Sequence, residues 1–302
     1  MRSTAIYSEA PAKGWLPWGA FAPFLSLVLV VAPLAGASLG LARFHLLDAK
    51  GDPIGLAGLL AFLLVPFALM GLVVLAWVRF VERRPLATIG LAGSDRIRTF
   101  LSGYGVGLAT ISIIVAAIWI AGGYDARLYG KAFASPGALM NIGLLLVGFA
   151  VQSSAEEIFF RGWLLSVVSR KLNVATAVVL TSVVFSFLHY EPHQYWLVTL
   201  NTFLFSVFAC VWALTTGNIW GVMGWHAGWN WLLATGFELP VTGLDAKMPA
   251  LLVQLIARGP IPLTGGHQGP EGSFFCGLFF AGASAFLVWR ANRRRLQAPP
   301  VR

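Results

Sequence analysis

The stretch AFASPGALMNIGLLLVGFAVQSSAEEIFFRG, residues 132–162, places two adjacent glutamates at the end of a long charge-free segment. No Asp, Glu, Lys or Arg occurs between Lys131 and Glu156. A run of about 20 apolar residues is long enough to cross a bilayer as a helix. Because ionisable groups are expensive to place in lipid, Glu156, Glu157 and the following Arg161 mark a candidate functional site inside a membrane.

The composition of the whole chain favours a membrane protein. Of its 302 residues, 58% are hydrophobic and only 11% are charged, with a mean hydropathy of +0.77, whereas soluble domains contain about 25% charged residues. The net charge of +9 would suit a nucleic-acid partner in a soluble protein. Here the basic residues cluster in loops and at the C-terminus, which favours a role in membrane orientation and no nucleic-acid partner. We expect one integral membrane domain over residues 1–302, with a basic cytoplasmic tail at about 290–302.

Charge-free runs predict an all-α, polytopic membrane helix bundle with about eight transmembrane helices. Because the run 174–190 is the shortest, seven spans are the alternative. The Pro- and Gly-rich segment 238–272 is predicted to be a long loop, and it contains an apolar stretch at 249–257. The first run is interpreted as a retained helix rather than a cleaved leader, because it has no charge from Gly14 to Ala42. The approximate spans are 18–42, 55–80, 100–122, 137–169, 174–190, 195–214, 219–237 and 273–291.

The distribution of Lys and Arg orients these spans. With both termini inside, the inner segments carry 14 basic residues, namely Arg2, Lys13, Arg79, Arg83, Arg84, Arg96, Arg98, Arg170, Lys171, Arg290, Arg293, Arg294, Arg295 and Arg302. The outer loops carry 6, namely Arg43, Lys50, Arg127, Lys131, Lys247 and Arg258. This bias favours both termini in the cytoplasm, and we expect the protein in a bacterial cytoplasmic membrane.

Helical spacing predicts that a carboxylate and two imidazoles lie at one depth. Glu156 precedes the turn at 172–173 by as many residues as His189 follows it, which is about 24 Å at 1.5 Å per residue. His226 lies about 12 Å beyond the break at 215–218 and reaches the same depth if that break lies deeper than the charged turn. Asn230 shares a helix face with His226.

These residues support two alternative schemes, both hydrolytic. Two imidazoles and a carboxylate form the ligand set of many catalytic zinc sites, so Glu156, His189 and His226 could hold a divalent metal, with Asn230 as a further candidate ligand. In a metal-free scheme, Glu156 acts as general base with His189, while His226 and Asn230 stabilise the oxyanion. The spacing of Glu157 and Arg161 predicts a supporting ion pair in both schemes.

The motifs resemble a known family. Glu156-Glu157-x-x-x-Arg161, Phe185-x-x-x-His189 and His226-x-x-x-Asn230 occur in order on predicted spans and are similar to the three motifs of the CPBP family. This is the CAAX-protease and bacteriocin-processing family of intramembrane proteases, also called Abi. Family-like helices extend over about 137–237.

The resemblance implies an eight-helix membrane endopeptidase whose cavity opens to the bilayer and the cytoplasm. It implies that Glu156 and His189 activate water, that His226 and Asn230 bind metal or hold the oxyanion, and that Glu157, Arg161 and Phe185 support them. The implied cofactor is zinc, although a metal-free glutamate mechanism is also proposed for the family.

Three functions are compatible with the sequence. The first is an intramembrane endopeptidase that cleaves a peptide or protein substrate, membrane-associated or not, near the cytoplasmic side. The second is a non-enzymatic bacteriocin-immunity or regulatory membrane protein that keeps the motifs for helix packing. The third, a proton-coupled transporter with Glu156 and His189 as a relay, has less support because no repeat relates the two halves of the sequence.

Overall fold

The computed structural model describes residues 6–297, with side chains described to residue 293. Arg2 and Arg302 of the orientation count, and the end of the predicted basic tail, lie outside this range. The chain is 70% helical. Its helices are α1 (Ala22–Arg43), α2 (Gly55–Ala76), α3 (Arg96–Ile120), α4 (Pro136–Glu157), α5 (Leu165–Lys171), α6 (Val174–Leu188), α7 (Trp196–Thr216), α8 (Trp220–Gly236), α9 (Ile261–Thr264) and α10 (Phe274–Gln297).

The prediction of an all-α polytopic bundle is confirmed, while the count of eight spans stays a prediction. Six helical segments in the described chain are long and apolar enough to cross a membrane: Ala22–Arg43, Gly55–Val81, Arg96–Ile120, Pro136–Lys171, Trp196–Thr216 and Phe274–Arg293. The other two predicted spans correspond to shorter helices, α6 with 15 residues and α8 with 17. Helix α8 is buried along most of its length, so neighbouring helices rather than lipid surround it.

Glycines allow α8 to pack directly against α3. A Cβ atom added to Gly224 would lie 1.9 Å from the carbonyl oxygen of Phe100, and one added to Gly103 would lie 2.0 Å from that of Gly221. Such distances mean that the two backbones touch, as they do where small residues line a helix interface in membranes. This contact fixes the depth of α8 in the bundle.

Helices α4 and α5 form one long rod that is interrupted directly after the two glutamates. The rod begins at Pro136, where the Ser135 side chain accepts a hydrogen bond from the amide of Ala138. A π-helical segment, Ile158–Leu164, then separates α4 from α5. Single π turns inside α-helices are frequent at functional sites, because the extra residue redirects the side chains around it.

A short antiparallel sheet is an element that the sequence analysis did not predict. Strand β1 (Tyr124–Tyr129) pairs with β2 (Val253–Ala257), with a register shift between Ala126 and Tyr129. The two segments are far apart in sequence and each is too short for a clear alternation. The apolar stretch 249–257 therefore pairs in large part with the α3–α4 connection.

Contacts between distant segments define two ends of the bundle. We call one end the terminal end; it comprises residues 6–21, 77–95, 170–173 and 217–219. There the amide of Gly14 donates a hydrogen bond to the carbonyl oxygen of Glu82 at 2.9 Å. The loop end comprises 44–54, 121–135, 189–195 and 237–273, and there the Asn201 amide donates to the carbonyl of Ser273 at 2.7 Å. Because α7 and α10 both begin beside this contact, α10 runs toward the terminal end.

Candidate active site

Three hydrogen-bond acceptors converge on one point. Glu156 near the end of α4 faces His189, which caps the C-terminus of α6, with 4.0 Å between Oε1 and Nε2. His226 in α8 faces the other carboxylate oxygen, with 3.8 Å between Oε2 and Nε2. The side chains of Glu156 and His226 are buried, and that of His189 is partly exposed. The structure thus brings together the three residues that helical spacing placed at one depth.

The hydrogen bonds of the two imidazoles fix their tautomers. Nδ1 of His189 lies 2.8 Å from the carbonyl oxygen of Phe185, and Nδ1 of His226 lies 2.9 Å from Oε1 of Glu157. Both partners are acceptors, so each Nδ1 carries the proton and, in a neutral ring, each Nε2 presents a lone pair. Two lone pairs and the Glu156 carboxylate then face one another, an arrangement that suits a bound water, a proton or a cation.

The predicted ion pair between Glu157 and Arg161 is present and fully buried. Nη1 of Arg161 lies 3.0 Å from Oε1 of Glu157, the same oxygen that accepts from His226. The guanidinium carbon lies 4.6 Å from the ring centre of Phe185, so cation–π contact supplements the ion pair. The hydroxyl of Tyr7 donates to the carbonyl oxygen of Arg161 at 2.7 Å, which attaches the N-terminal segment to this helix.

Aromatic rings hold the imidazoles in place. The ring of Phe185 stacks on His189 with 4.2 Å between centroids, and Phe205 packs edge-on against His226 at 4.9 Å. These two phenylalanines also stack on each other at 5.4 Å. Phe185 therefore supports the site in two ways, through its ring and through its carbonyl. Phe205 was not identified from the sequence, because one Phe among 22 carries no distinguishing signal.

Asn230 lies one helical turn beyond His226 and is buried at the same cavity. Its Nδ2 atom donates to Oε1 of Gln152 at 3.1 Å, which leaves the second N–H of the amide for another acceptor. Gln152 is a site residue that sequence analysis missed, and its position four residues before Glu156 on the same helix face was the available signal.

The site lies on the wall of a cavity of about 380 Å³. Besides the residues already described, residues of the loop end line it, including Asp52, Glu191, Thr242 and Glu271. Among its lining residues are four carboxylates, two histidines and no Lys or Arg. The cavity therefore offers an acidic environment to a bound molecule.

A network around Glu271 fixes the loop that borders the cavity. Its carboxylate accepts hydrogen bonds from the indole of Trp229 at 2.9 Å and from the amide and hydroxyl of Thr242 at 2.7 and 2.9 Å. Burial raises the pKa of Glu271, and the hydrogen bonds from Thr242 and Trp229 partly oppose this shift. Segment 238–272 is thus tied to α8 beside the catalytic candidates.

Glu156, His189 and His226 are residue types that bind zinc, but their ligand atoms lie farther apart than the ligands of a bound zinc ion. Two ligands bound tetrahedrally to one zinc lie about 3.3 Å apart, given bonds of about 2.0 Å, and the nitrogen–oxygen separations here are 3.8 and 4.0 Å. Among the described residues, no group of three His, Cys, Asp or Glu side chains is arranged closely enough to hold a metal ion. The Nδ1 bonds to Glu157 and to the Phe185 carbonyl are those that orient histidine ligands.

Comparison with protein families identifies a match to the part of the chain that carries the motifs. Residues 138–232 match a model described as Rce1-like, type II CAAX prenyl endopeptidase Rce1-like. The matched segment contains Glu156, His189, His226 and Asn230. The resemblance to the CPBP family is thereby confirmed, and it indicates an intramembrane protease. No curated protein matches the chain.

Proposed function

We propose, because residues 138–232 match the Rce1-like endopeptidase model, that this protein hydrolyses peptide bonds with water activated by Glu156 and His189. The observation that carries the proposal is the convergence of three acceptors on one cavity wall. A water molecule there can donate a proton to the carboxylate while its oxygen attacks a carbonyl carbon.

The proton balance of the reaction is simple. Glu156 takes a proton from water as the water oxygen bonds to the peptide carbon, and His189 lies 4.0 Å away to share or relay this proton. The same proton then passes to the leaving nitrogen as the C–N bond breaks. The products are a carboxylic acid and an amine, and Glu156 regains its ionised form.

The developing oxyanion needs donors, and two side chains can supply them. The free N–H of Asn230 is one. Nε2 of His226 is an acceptor in the neutral ring, and it would become the second donor on taking up a proton, with Glu157 as the counter-charge 2.9 Å from Nδ1. Donors held in advance by Gln152 and Glu157 need no reorganisation when charge develops on the carbonyl oxygen.

A divalent metal remains part of this proposal. Glu156, His189 and His226 would hold it after closing from their present separations of 4.0 and 3.8 Å, with Asn230 as a further candidate, and a bound zinc would lower the pKa of a coordinated water to about 7. The test is the metal content of the purified native protein, followed by chelation and return of zinc. Activity that is lost and recovered supports the metal, whereas full activity in the metal-depleted protein supports Glu156 acting alone.

The test of function is a proteome-wide map of peptide termini in native membranes that contain wild type or Glu156→Gln. Glutamine keeps the shape of the side chain and removes its basicity. Termini that disappear in the variant would identify both the substrate and the cleavage site. Identical maps at equal protein levels would contradict the proposal and favour the non-enzymatic immunity or regulatory function.

A further inference from the structure

We infer that the active-site cavity opens on the non-cytoplasmic face of the membrane, so that its substrates are peptide segments presented on that side. This inference rests on the proposed function for its substrate and on the fold for its direction. It differs from the expectation, drawn from family resemblance, that the cavity opens to the cytoplasm.

The cavity is continuous with the loop end of the bundle. Its lining includes residues of four separate loop-end segments: Gly51–Pro53 between α1 and α2, 189–191 after α6, 241–244 after α8, and Gln268 with Glu271 before α10. Four of these lining residues, Gly51, Asp52, Tyr190 and Glu191, are exposed. No lining residue comes from the terminal end.

Toward the terminal end, packed side chains close the bundle below the site. The Glu157–Arg161 pair has no exposed side-chain surface. Beyond it, the indole of Trp163 donates to Glu82 at 2.7 Å, and Arg84 pairs with the same carboxylate. All five side chains are buried, so among the described residues this half of the molecule is filled with protein.

Charge is distributed unequally between these two ends. The terminal end, the first residues of α3 and the C-terminal part of α10 carry ten basic residues among the described side chains, namely Lys13, Arg79, Arg83, Arg84, Arg96, Arg98, Arg170, Lys171, Arg290 and Arg293. The acidic residues there are only Glu9, Glu82 and Asp95. At the loop end, counted together with Arg43 at the last position of α1, six basic residues accompany seven acidic ones: Asp48, Asp52, Asp125, Glu191, Glu238, Asp245 and Glu271.

Basic residues near the ends of transmembrane helices stay on the cytoplasmic side. Arg84 contributes less than the others because it is buried against Glu82, yet the excess at the terminal end remains without it. The described N-terminal segment and the C-terminal part of α10 both lie at that end. In this fold the termini and the cavity mouth lie at opposite ends, so they cannot both face the cytoplasm. The excess of basic residues places the terminal end in the cytoplasm and therefore the cavity mouth on the other side of the membrane.

Cysteine labelling tests this orientation without any need for activity. The two native cysteines, Cys210 and Cys276, are fully buried and provide a low background. Ala49→Cys places an exposed thiol at the loop end beside the cavity mouth, and Ser94→Cys places one at the terminal end. Neither substitution changes the charge distribution that sets the orientation.

A membrane-impermeant maleimide is added to right-side-out spheroplasts before or after lysis, with the wild type as blank. We expect Ala49→Cys to react before lysis and Ser94→Cys to react only afterwards. The reverse pattern, or equal labelling of both before lysis, would overturn the inference and leave the protease proposal intact. A second readout is the location of termini lost in Glu156→Gln, which should lie in non-cytoplasmic segments of the substrate.

Discussion

Nδ1 of His226 lies 2.9 Å from Oε1 of Glu157, so the second of the two adjacent glutamates holds an imidazole instead of facing the cavity. The same oxygen also accepts from Arg161 at 3.0 Å. The first glutamate, Glu156, faces the two Nε2 atoms and lines the cavity. Two neighbouring residues of one type thus have different surroundings, and variants should separate their roles.

Glu156→Gln should remove activity and leave the fold unchanged. The general base contributes roughly 10²- to 10⁴-fold to the rate in typical enzymes, and glutamine cannot take the proton from water. We expect a loss of this size in kcat, measured on the substrate identified from the terminal map. The melting temperature in detergent should stay close to that of wild type. Activity within a few-fold of wild type would exclude Glu156 as the base.

Glu157→Gln should destabilise the protein. Removing one partner of a buried ion pair costs roughly 3–5 kcal/mol, because the remaining charge of Arg161 has no counter-charge. We expect a lower midpoint of thermal unfolding in detergent and reduced accumulation in membranes. Glu156→Gln is the matched control, since it makes the same chemical change one residue away. An equal loss of stability in both variants would contradict the division of roles.

Gly224→Ala should disrupt the contact between α3 and α8. The new methyl group would lie 1.9 Å from the carbonyl oxygen of Phe100, and a backbone atom cannot rotate away. Overpacking of this kind costs about 1–3 kcal/mol or more, and the shift of α8 would displace His226. The control is Gly105→Ala in α3, where no atom lies within 4 Å of the added Cβ. Unfolding midpoints of both variants measure the difference.

Glu271 should make stability depend on pH. Because burial raises the pKa of this carboxyl in the folded protein, its ionised form disfavours the fold above that pKa, and this cost disappears as the pH falls through it. The melting temperature of wild type minus that of Glu271→Gln should therefore increase as the pH is lowered from 8 toward 5. A difference that decreases over this range would show that the hydrogen bonds from Thr242 and Trp229 outweigh burial.

The sequence predicted the helices and the central residues of the site for a common physical reason. Ionisable groups are rare in the apolar segments, so Glu156, His189 and His226 were conspicuous, and the 1.5 Å rise per residue placed them at one depth. Boundaries were accurate to a few residues: the span predicted at 174–190 is a helix from Val174 to Leu188, with His189 as its cap.

The missed features depend on contacts between distant segments. Nothing in the residues around Glu271 shows that Trp229 and Thr242 bond to it, because these contacts form only when loop 238–272 folds back on α8. The pairing of β1 with β2 is of the same kind. Arg84 was counted among the residues that orient the protein, whereas the fold buries it against Glu82.

The π-helical segment Ile158–Leu164 also affects how this sequence can change. A π turn contains one residue more than an α turn, so the faces of α5 are rotated by about 100° relative to a continuous helix. Deleting a single residue in this segment would restore a regular helix and leave Arg170 and Lys171 on their present side, because the loss of one residue compensates for that rotation. Loss of one residue here is therefore compatible with the present phase of the rod, whereas an inserted residue would rotate α5 by about 100° unless a further π turn absorbed it.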